Sequence, residues 1–367
     1  IIRFVREVLS DPAGGFFASQ DADVTPDAEG GYFTWTDEEL GKVLTTVEHE
    51  VLSRHLLHSR GAMQHDPKRK VLFAAMTPEE IAREMDRPRR EIEEIIKGGK
   101  RKLLAERLKR ETPFIDQTFY TSLNGMFITS FLRASRVLGD AAARDFALLS
   151  LDRILRERFV DGDLFHSGGV TAFLDDYVYL VEALVEAYET TAKRRYIDLA
   201  EQFMQACLDR FADANGGFFD TASVVLGARL KRVEDIPHPS ANAVAAVLLL
   251  RLYHITGNER YLREAEKDLE AFSGSAGEYG IHAGSYFCAL DAWFNMLRLQ
   301  VDAGPESELA RVSRSFSGPV TVVVYGEERG QVVPCYRKTC FEPVADAGRL
   351  KGIVAEITGA SGHILAR

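Results

Sequence analysis

Two close pairs of carboxylates are the side chains of this sequence best suited to chemistry. Asp21 and Asp23 alternate in a polar segment after a glycine–aromatic turn, and Asp175 and Asp176 are consecutive. Alternate residues of an extended segment share a side, so both carboxylates of the first pair could face one cleft. One protonated and one ionised carboxylate are what acid–base attack on a glycosidic bond requires. For the first pair, calcium binding or local capping of the loop is the alternative.

The second pair falls where the hydrophobic pattern predicts the start of a helix. Acidic side chains stabilise a helix N-terminus, so capping accounts for at least one of Asp175 and Asp176. A second acid followed by Tyr177 is more than capping needs. Pocket residues often lie on loops and helix starts, and we interpret these three residues as part of a pocket.

Four further side chains could orient a ligand beside these acids. Trp35 follows another glycine–aromatic turn and could stack on a sugar face, although core packing is the commoner place for an indole. Asn124 and Asn242 stand at predicted helix starts, where their amides could bind ligand hydroxyls or equally satisfy backbone groups. His238 is the best placed of the nine histidines to act as a base with a pKa near neutrality.

The sequence contains no motif for a metal ion or a nucleotide cofactor. His55 and His58 could share a helix face, but no third ligand stands at a zinc-site spacing. Cys335 and Cys340 are too far apart in sequence for a zinc knuckle or a Cys-x-x-Cys motif. A phosphate loop and a dinucleotide fingerprint are also missing. We therefore predict no metal and no cofactor.

The helices that must position these side chains come in pairs. Apolar residues recur at helical spacing in three pairs of segments. The first pair is 121–138 with a second helix that runs to about 159, the next is 173–188 with 196–211, and the last is 241–255 with 261–272. The turn Gly-Gly-Phe-Phe occurs at 14–17 and again at 216–219, each time after a helical stretch. One helix pair cannot bury its apolar stripe alone, so we predict stacked pairs with their motif loops around a central cleft.

The last part of the chain has a different pattern. The run Pro-Val-Thr-Val-Val-Val-Tyr at 319–325 predicts a buried strand, and 352–357 is a second candidate strand. We therefore predict two domains: a helical toroid over 1–304, truncated at its N-terminal side, and a small α+β extension over 305–367.

Composition narrows the classes of partner. The chain has 367 residues, of which 46% are hydrophobic, enough to fill a substantial core. Its net charge of −10 argues against nucleic acid and anionic membranes as main partners. No apolar run reaches membrane-spanning length. The four cysteines do not suggest a disulfide scaffold, so a cytoplasmic location is the default expectation.

Together these motifs resemble the helical part of the thioredoxin-domain family that includes the spermatogenesis-associated thioredoxin-like proteins. The matching motifs, in family order, are Gly-Gly-Phe-Phe-x-Ser-x-Asp-Ala-Asp at 14–23, Glu-Gly-x-Tyr-Phe-x-Trp at 29–35, Arg-x-Lys-Arg-x-x-Pro-x-x-Asp at 107–116, Thr-Ser-x-Asn-Gly at 121–125, Leu-Asp-Asp-Tyr at 174–177, Gly-Gly-Phe-Phe at 216–219, Pro-Ser-x-Asn at 239–242 and Cys-x4-Cys-x2-Pro at 335–343. The chain departs from the family pattern at Gln117-Thr118, Leu123 and Ala241.

The resemblance implies an all-α fold, an (α/α)6 toroid similar to those of N-acylglucosamine 2-epimerases and six-hairpin glycosidases. By analogy of fold it also implies a carbohydrate-like ligand, with hydrolysis, epimerisation or binding alone as open alternatives. A further alternative is a scaffold for a thioredoxin-like redox domain, which the family carries before its toroid and this chain lacks. The predicted catalytic residues are Asp21, Asp23, Asp116, Asp175 and Asp176. The predicted ligand-binding residues are Trp35, Asn124, Tyr177, His238 and Asn242.

Overall fold

The computed structural model describes residues 1–27, 29–224, 227–316 and 318–359. The chain forms two compact units, of which one, here the inserted unit, comprises residues 19–117. The other, here the hairpin unit, comprises residues 1–18 and the chain from 118 onward, and it begins with helix α1, Ile2–Val8. The domain boundary that the sequence suggests after residue 304 stays a prediction.

The inserted unit has a helical core and a short ribbon that joins its two ends. Its helices begin at capping boxes in three cases, where Thr36, Thr45 and Thr77 each exchange hydrogen bonds with a glutamate three residues later. The ribbon pairs Ser19 with Asp116, so the two ends of the unit lie side by side. The elements are β1 Ser19–Gln20, α2 Asp37–Val43, α3 Thr46–Leu56, α4 Pro78–Glu84, α5 Arg89–Arg107 and β2 Ile115–Asp116.

The hairpin unit is built from consecutive helix pairs at the predicted positions. The first pair is α6 Thr121–Leu138 with α7 Ala141–Glu157, and a small sheet follows it, made of β3 Phe159–Val160, β4 Asp163–Ser167 and β5 Val170–Thr171. The later helices are α8 Leu174–Thr191, α9 Arg195–Phe211, α10 Ala241–Thr256, α11 Glu259–Phe272 and α12 Gly284–Asn295.

The contacts among these helices define an inner and an outer layer. Helices α6, α8, α10 and α12 pack in succession on one another, while α7, α9 and α11 each pack on the preceding inner helix. The sequence explains this division, because α10 is apolar nearly all round and buried, whereas α11 confines its apolar residues to one stripe. The predicted helical body of paired inner and outer helices, with a small strand-containing C-terminal part, is confirmed, and its closure as an (α/α)6 toroid stays a prediction.

The C-terminal part contains a four-stranded sheet flanked by helices. Its strands are β6 Leu297–Asp302, β7 Thr321–Tyr325, β8 Gln331–Tyr336 and β9 Thr339–Cys340, in the order β7-β6-β8-β9, and its helices are α13 Glu308–Ser315 and α14 Ala347–Ile357. A disulfide joins Cys335 and Cys340 across the β8–β9 hairpin.

Of the two strands predicted in this part, one is confirmed and one is wrong. Strand β7 lies within the predicted run 319–325, but 352–357 is the end of helix α14. Asp346 caps that helix by accepting a hydrogen bond from the Arg349 N–H, and the buried Leu350 and Val354 are four residues apart, on one helical face. None of the helices in the described ranges is long and apolar enough to cross a membrane.

Candidate acidic site in the hairpin unit

A cavity of about 260 Å³ lies where helices α6, α8 and α10 begin. The start of α6 contributes Ser122, the start of α8 contributes both consecutive aspartates, and the start of α10 contributes Ser240 and Ala241. The ionisable side chains on its wall include Asp175, Asp176, Asp220, His166, Arg232 and His238. The starts of three inner helices, together with strand β4 and loop residues that precede α10, therefore gather acids, histidines and an arginine around one space.

Asp176 is the fully buried acid of the site. Its two carboxylate oxygens accept hydrogen bonds from the backbone N–H groups of Ser122 and Phe173, each at 2.9 Å. Nδ1 of His166 lies 2.9 Å from both oxygens. The carboxylate thus ties the first turns of α6 and α8 to strand β4. These contacts suit a positioning role, and the catalytic assignment of Asp176 stays a prediction.

Asp175 is the accessible acid, with 41% of its side chain exposed. Its Oδ2 lies 3.6 Å from Nε2 of His238. Partial burial raises the pKa of Asp175 above its ordinary value; the His238 charge opposes this shift and the Asp176 charge adds to it. A carboxyl whose pKa is raised retains its proton to higher pH, which suits a general acid.

The hydrogen bonds of His238 favour one tautomer. The Tyr179 hydroxyl donates to the Pro239 carbonyl, so its oxygen is left to accept from Nδ1 of His238, 2.9 Å away. With Nδ1 carrying the hydrogen, neutral His238 presents the Nε2 lone pair toward Asp175. The two side chains can therefore share one proton, held either by the carboxyl group or by the imidazole.

Asp220 and Arg232 form a second charged pair on the cavity wall, with 3.2 Å between Nε and Oδ2. Burial raises the pKa of Asp220, and the arginine opposes the shift. The pKa of His166 is also raised, first by its hydrogen bond to Asp176, while burial acts against it. The site therefore combines two acids that hold protons more strongly than usual with a histidine that favours its charged form.

Two asparagines that the sequence predicts to bind a ligand make hydrogen bonds to the backbone of the repeated glycine turns. Oδ1 of Asn124 accepts from the Phe16 N–H at 2.7 Å, and its amide nitrogen donates to the Phe16 and Tyr120 carbonyls. Asn242 makes the same pair of contacts with Phe218. Both side chains are fully buried, as is the predicted Tyr177, which packs near Phe211. Their assignment to a ligand stays a prediction, and the proposal below does not depend on it.

The remaining predicted site residues lie in the inserted unit. Asp21 is exposed, and its backbone N–H donates to the Phe114 carbonyl, next to the ribbon that contains Asp116. Oδ1 of Asp23 accepts from the Gly30 N–H at 2.6 Å, as a loop-capping aspartate would. Trp35 is 3% exposed and packs under the Arg110 guanidinium, 4.0 Å from its ring centroid. That these acids share one cleft with Asp175 and Asp176 stays a prediction.

Sequence reasoning did not assign His166, Asp220, Arg232 or Tyr179 to the site. Asp220 directly follows the Gly-Gly-Phe-Phe turn at 216–219, and that position was its only local signal. His166 lies on strand β4, and only the folding of β4 against α8 brings it to Asp176. Within the described residues, no group of three or more His, Cys, Asp or Glu side chains is placed to hold a metal ion.

The fold and the site together define a two-layer arrangement of helical hairpins with an acidic cavity where its inner helices begin. The resemblance stated above is confirmed by curated relatives. Spermatogenesis-associated protein 20 of Homo sapiens is 27% identical over 314 residues, 74% of this chain and 40% of the relative. An uncharacterised protein of Caenorhabditis elegans is 26% identical over 342 residues, 84% of this chain and 47% of the relative. The chain thus spans less than half the length of these relatives. No family model matches it.

Solved structures with weaker likeness include carbohydrate-active enzymes. An inactive α-1,6-mannanase variant of Salegentibacter in complex with α-1,6-mannotriose has 12% identity and a TM-score of 0.40, with 69% of this chain and 80% of that chain covered. An α-mannanase of Bacteroides thetaiotaomicron has 14% identity and a TM-score of 0.39, with 49% and 52% covered. A cellobiose 2-epimerase of Bacillus thermoamylovorans has 16% identity and a TM-score of 0.35, with 42% and 44% covered.

Proposed function

We propose that the acidic cavity of the hairpin unit binds a carbohydrate and that Asp175 and His238 transfer a proton to or from it. The observation that carries this proposal is the pair itself. The two groups face each other at 3.6 Å, with 41% and 34% of their side chains exposed, on the wall of a cavity. A sugar oxygen that enters between them can take up or give the proton that they share.

The rest of the wall offers the contacts that a sugar needs. Asp220 and Arg232 supply an acceptor and several donors for hydroxyl groups. Phe173 is 39% exposed at the same cavity and presents an apolar ring, against which the face of a sugar can stack. Few, well-placed polar groups beside an aromatic surface are typical of sites for small molecules.

Two reactions fit this arrangement. In hydrolysis, Asp175 protonates the leaving oxygen and a second carboxylate, for which Asp220 is the candidate, acts on the opposite side of the sugar. In epimerisation, Nε2 of His238 removes a proton from carbon and a neighbouring acid returns it. The products distinguish them, because only hydrolysis releases a new reducing end.

A panel of glycosides and free sugars tests the proposal. We expect one class to be converted, and Asp175→Asn and His238→Gln each to lower kcat by about 100-fold or more, the usual contribution of acid–base catalysis. Asp152→Asn is the matched control, since Asp152 pairs with Arg195 at the surface. Asp23→Asn tests separately whether the inserted unit contributes. Undiminished turnover by Asp175→Asn would show that the proton comes from elsewhere.

The scaffold alternative gains if no saccharide is converted and none raises the melting temperature. The curated relatives extend well beyond the matched region, which covers 40% to 47% of their length. A thioredoxin-like domain would then be the expected partner. A pull-down of this chain with the separately expressed N-terminal part of a full-length relative would show or deny that binding.

A further inference from the structure

A second cavity, of about 220 Å³, lies at the other ends of helices α6 and α8. Ser122 lines the first cavity and Ser135 lines the second, so the two cavities are separated along α6 by about 20 Å at 1.5 Å per residue. The wall comes from the end of α6, the start of α7, the end of α8 and helix α13. Four of its side chains are arginines: Arg136, Arg144, Arg311 and Arg314.

Arg136 is buried on this wall with hydrogen-bond donors to spare. Its side chain is 7% exposed, and Nη2 pairs with Oε2 of Glu186 at 2.6 Å. Nε and Nη1 of Arg136 are buried and have no partner within the described ranges, and the same holds for the hydroxyl of Thr190 on the same wall. Buried N–H groups without acceptors reduce the stability of the fold. An acceptor from a bound ligand would remove this penalty at this part of the cavity.

Glu186 cannot supply that acceptor, because it already serves three arginines. Its carboxylate lies 2.9 Å from Arg133 and 3.1 Å from Arg251, besides its contact with Arg136. Burial alone would raise the pKa of Glu186, but the three guanidinium groups hold it well below the ordinary value. The carboxylate is ionised and saturated, and the spare donors of Arg136 are left for a ligand.

Two further arginines of the wall, Arg144 and Arg311, are at most weakly neutralised by neighbouring carboxylates. Arg144 lies 2.9 Å from Asp145 and 3.7 Å from Glu306, whose side chains are 65% and 79% exposed, and such surface pairs are weak enough for a stronger anion to displace. Arg311 has no ion pair in the part of the chain that the structure describes. The remaining acid of the wall, Asp140, is engaged in capping α7 through the Ala143 N–H.

We propose that this cavity binds a phosphate group. Arginines that reach one space from α6, α7 and α13 approach it from several directions, which suits the oxygens of a tetrahedral dianion better than a planar carboxylate. The start of α7 also lies on this wall, but the Asp140 carboxylate already caps it, so the arginines carry the case for an anion. The volume is below the range of about 300–1,000 Å³ for drug-sized ligands, and it fits one phosphate with few further atoms.

Calorimetric titration of the full chain with inorganic phosphate tests this site, with ionic strength held constant by chloride. We expect saturable binding that weakens roughly tenfold in Arg311→Gln and in Arg144→Gln, because a charge-assisted hydrogen bond contributes about 1.4 kcal/mol or more. Arg263→Gln is the matched control, since Arg263 is exposed on α11 and lies outside the cavity. Asp175→Asn should bind phosphate like the parent, which separates this site from the proposed carbohydrate site.

Two sources of the phosphate group are distinguished by a hexose phosphate and the matching hexose. Tighter binding of the hexose phosphate than of inorganic phosphate identifies a phosphorylated sugar as the ligand, and equal binding identifies the free ion. Absence of saturation up to about 10 mM phosphate, a very weak affinity on the usual scale, would overturn the proposal. An equal loss of affinity in Arg263→Gln and Arg311→Gln would also overturn it, since it would reflect overall charge alone.

Discussion

Asp175 and Asp176 are neighbours in sequence, yet their surroundings give them different roles. Asp176 is buried and saturated with hydrogen bonds, whereas Asp175 is half-exposed and faces His238. The sequence predicted that this pair lies at a helix start and in a pocket. It could not assign different roles to the two acids, because the hydrogen-bond partners of Asp176 are distant in sequence. Ser122 is 54 positions away and His166 is 10 positions away.

This difference predicts opposite effects of the same substitution. The folded-state pKa of Asp175 is raised, so its ionised form destabilises the fold above that pKa, and the penalty vanishes as pH falls below the ordinary value. Asp175→Asn should therefore leave the melting temperature at pH 7 unchanged or higher, with any gain shrinking toward pH 4. Calorimetric scans across this pH range check the trend.

Asp176→Asn should instead destabilise the protein by about 1–3 kcal/mol. The amide replaces an acceptor oxygen by a donor that meets either the buried Ser122 N–H or the partly buried Phe173 N–H. Asp152→Asn, at the surface, should change stability by no more than about 0.5 kcal/mol. Comparable destabilisation by Asp175→Asn and Asp176→Asn would assign both residues to the structure and neither to chemistry.

At the scale of elements, helix pairs were predictable and the links between them were not. Helical spacing of apolar residues located α6 to α11 within a few residues, because burial of one face demands that pattern. The strand predicted at 352–357 failed because a short β-branched run fits a strand or a helix equally well. The N-cap residue Asp346 lies before residues 352–357, and its capping hydrogen bond stabilises the helix that includes them.

The glycine turns give a test at this scale. Gly216 has φ +85°, and an added Cβ would meet the Lys267 carbonyl oxygen at 2.2 Å, a backbone atom that cannot move aside. We expect Gly216→Ala to lose about 1–3 kcal/mol from overpacking in addition to about 1–2 kcal/mol of left-handed strain. Gly139→Ala is the control, since its φ is +67° with open space around the Cβ position. The free energy of unfolding in urea measures both losses. Equal losses in Gly216→Ala and Gly139→Ala would mean that the close approach to the Lys267 carbonyl does not affect stability.

At the scale of the whole molecule, the ribbon at residues 19–20 and 115–116 marks the inserted unit as a separate folding unit. Its two ends pair with each other, and its core around Leu40, Leu52 and Ile92 forms a cluster of its own. Residues 19–117 expressed alone should therefore unfold cooperatively, as a compact domain does. A thermal scan by circular dichroism checks this, and a featureless, non-cooperative melt would contradict it.

The most direct test of the carbohydrate proposal is a crystal structure of the Asp175→Asn variant with the saccharide that the parent converts. The account predicts a sugar in the cavity at the start of α8, with one of its oxygens within about 2.6–3.2 Å of the side chain at position 175 or of Nε2 of His238. A saccharide bound at any other place, with this cavity left empty, would contradict it.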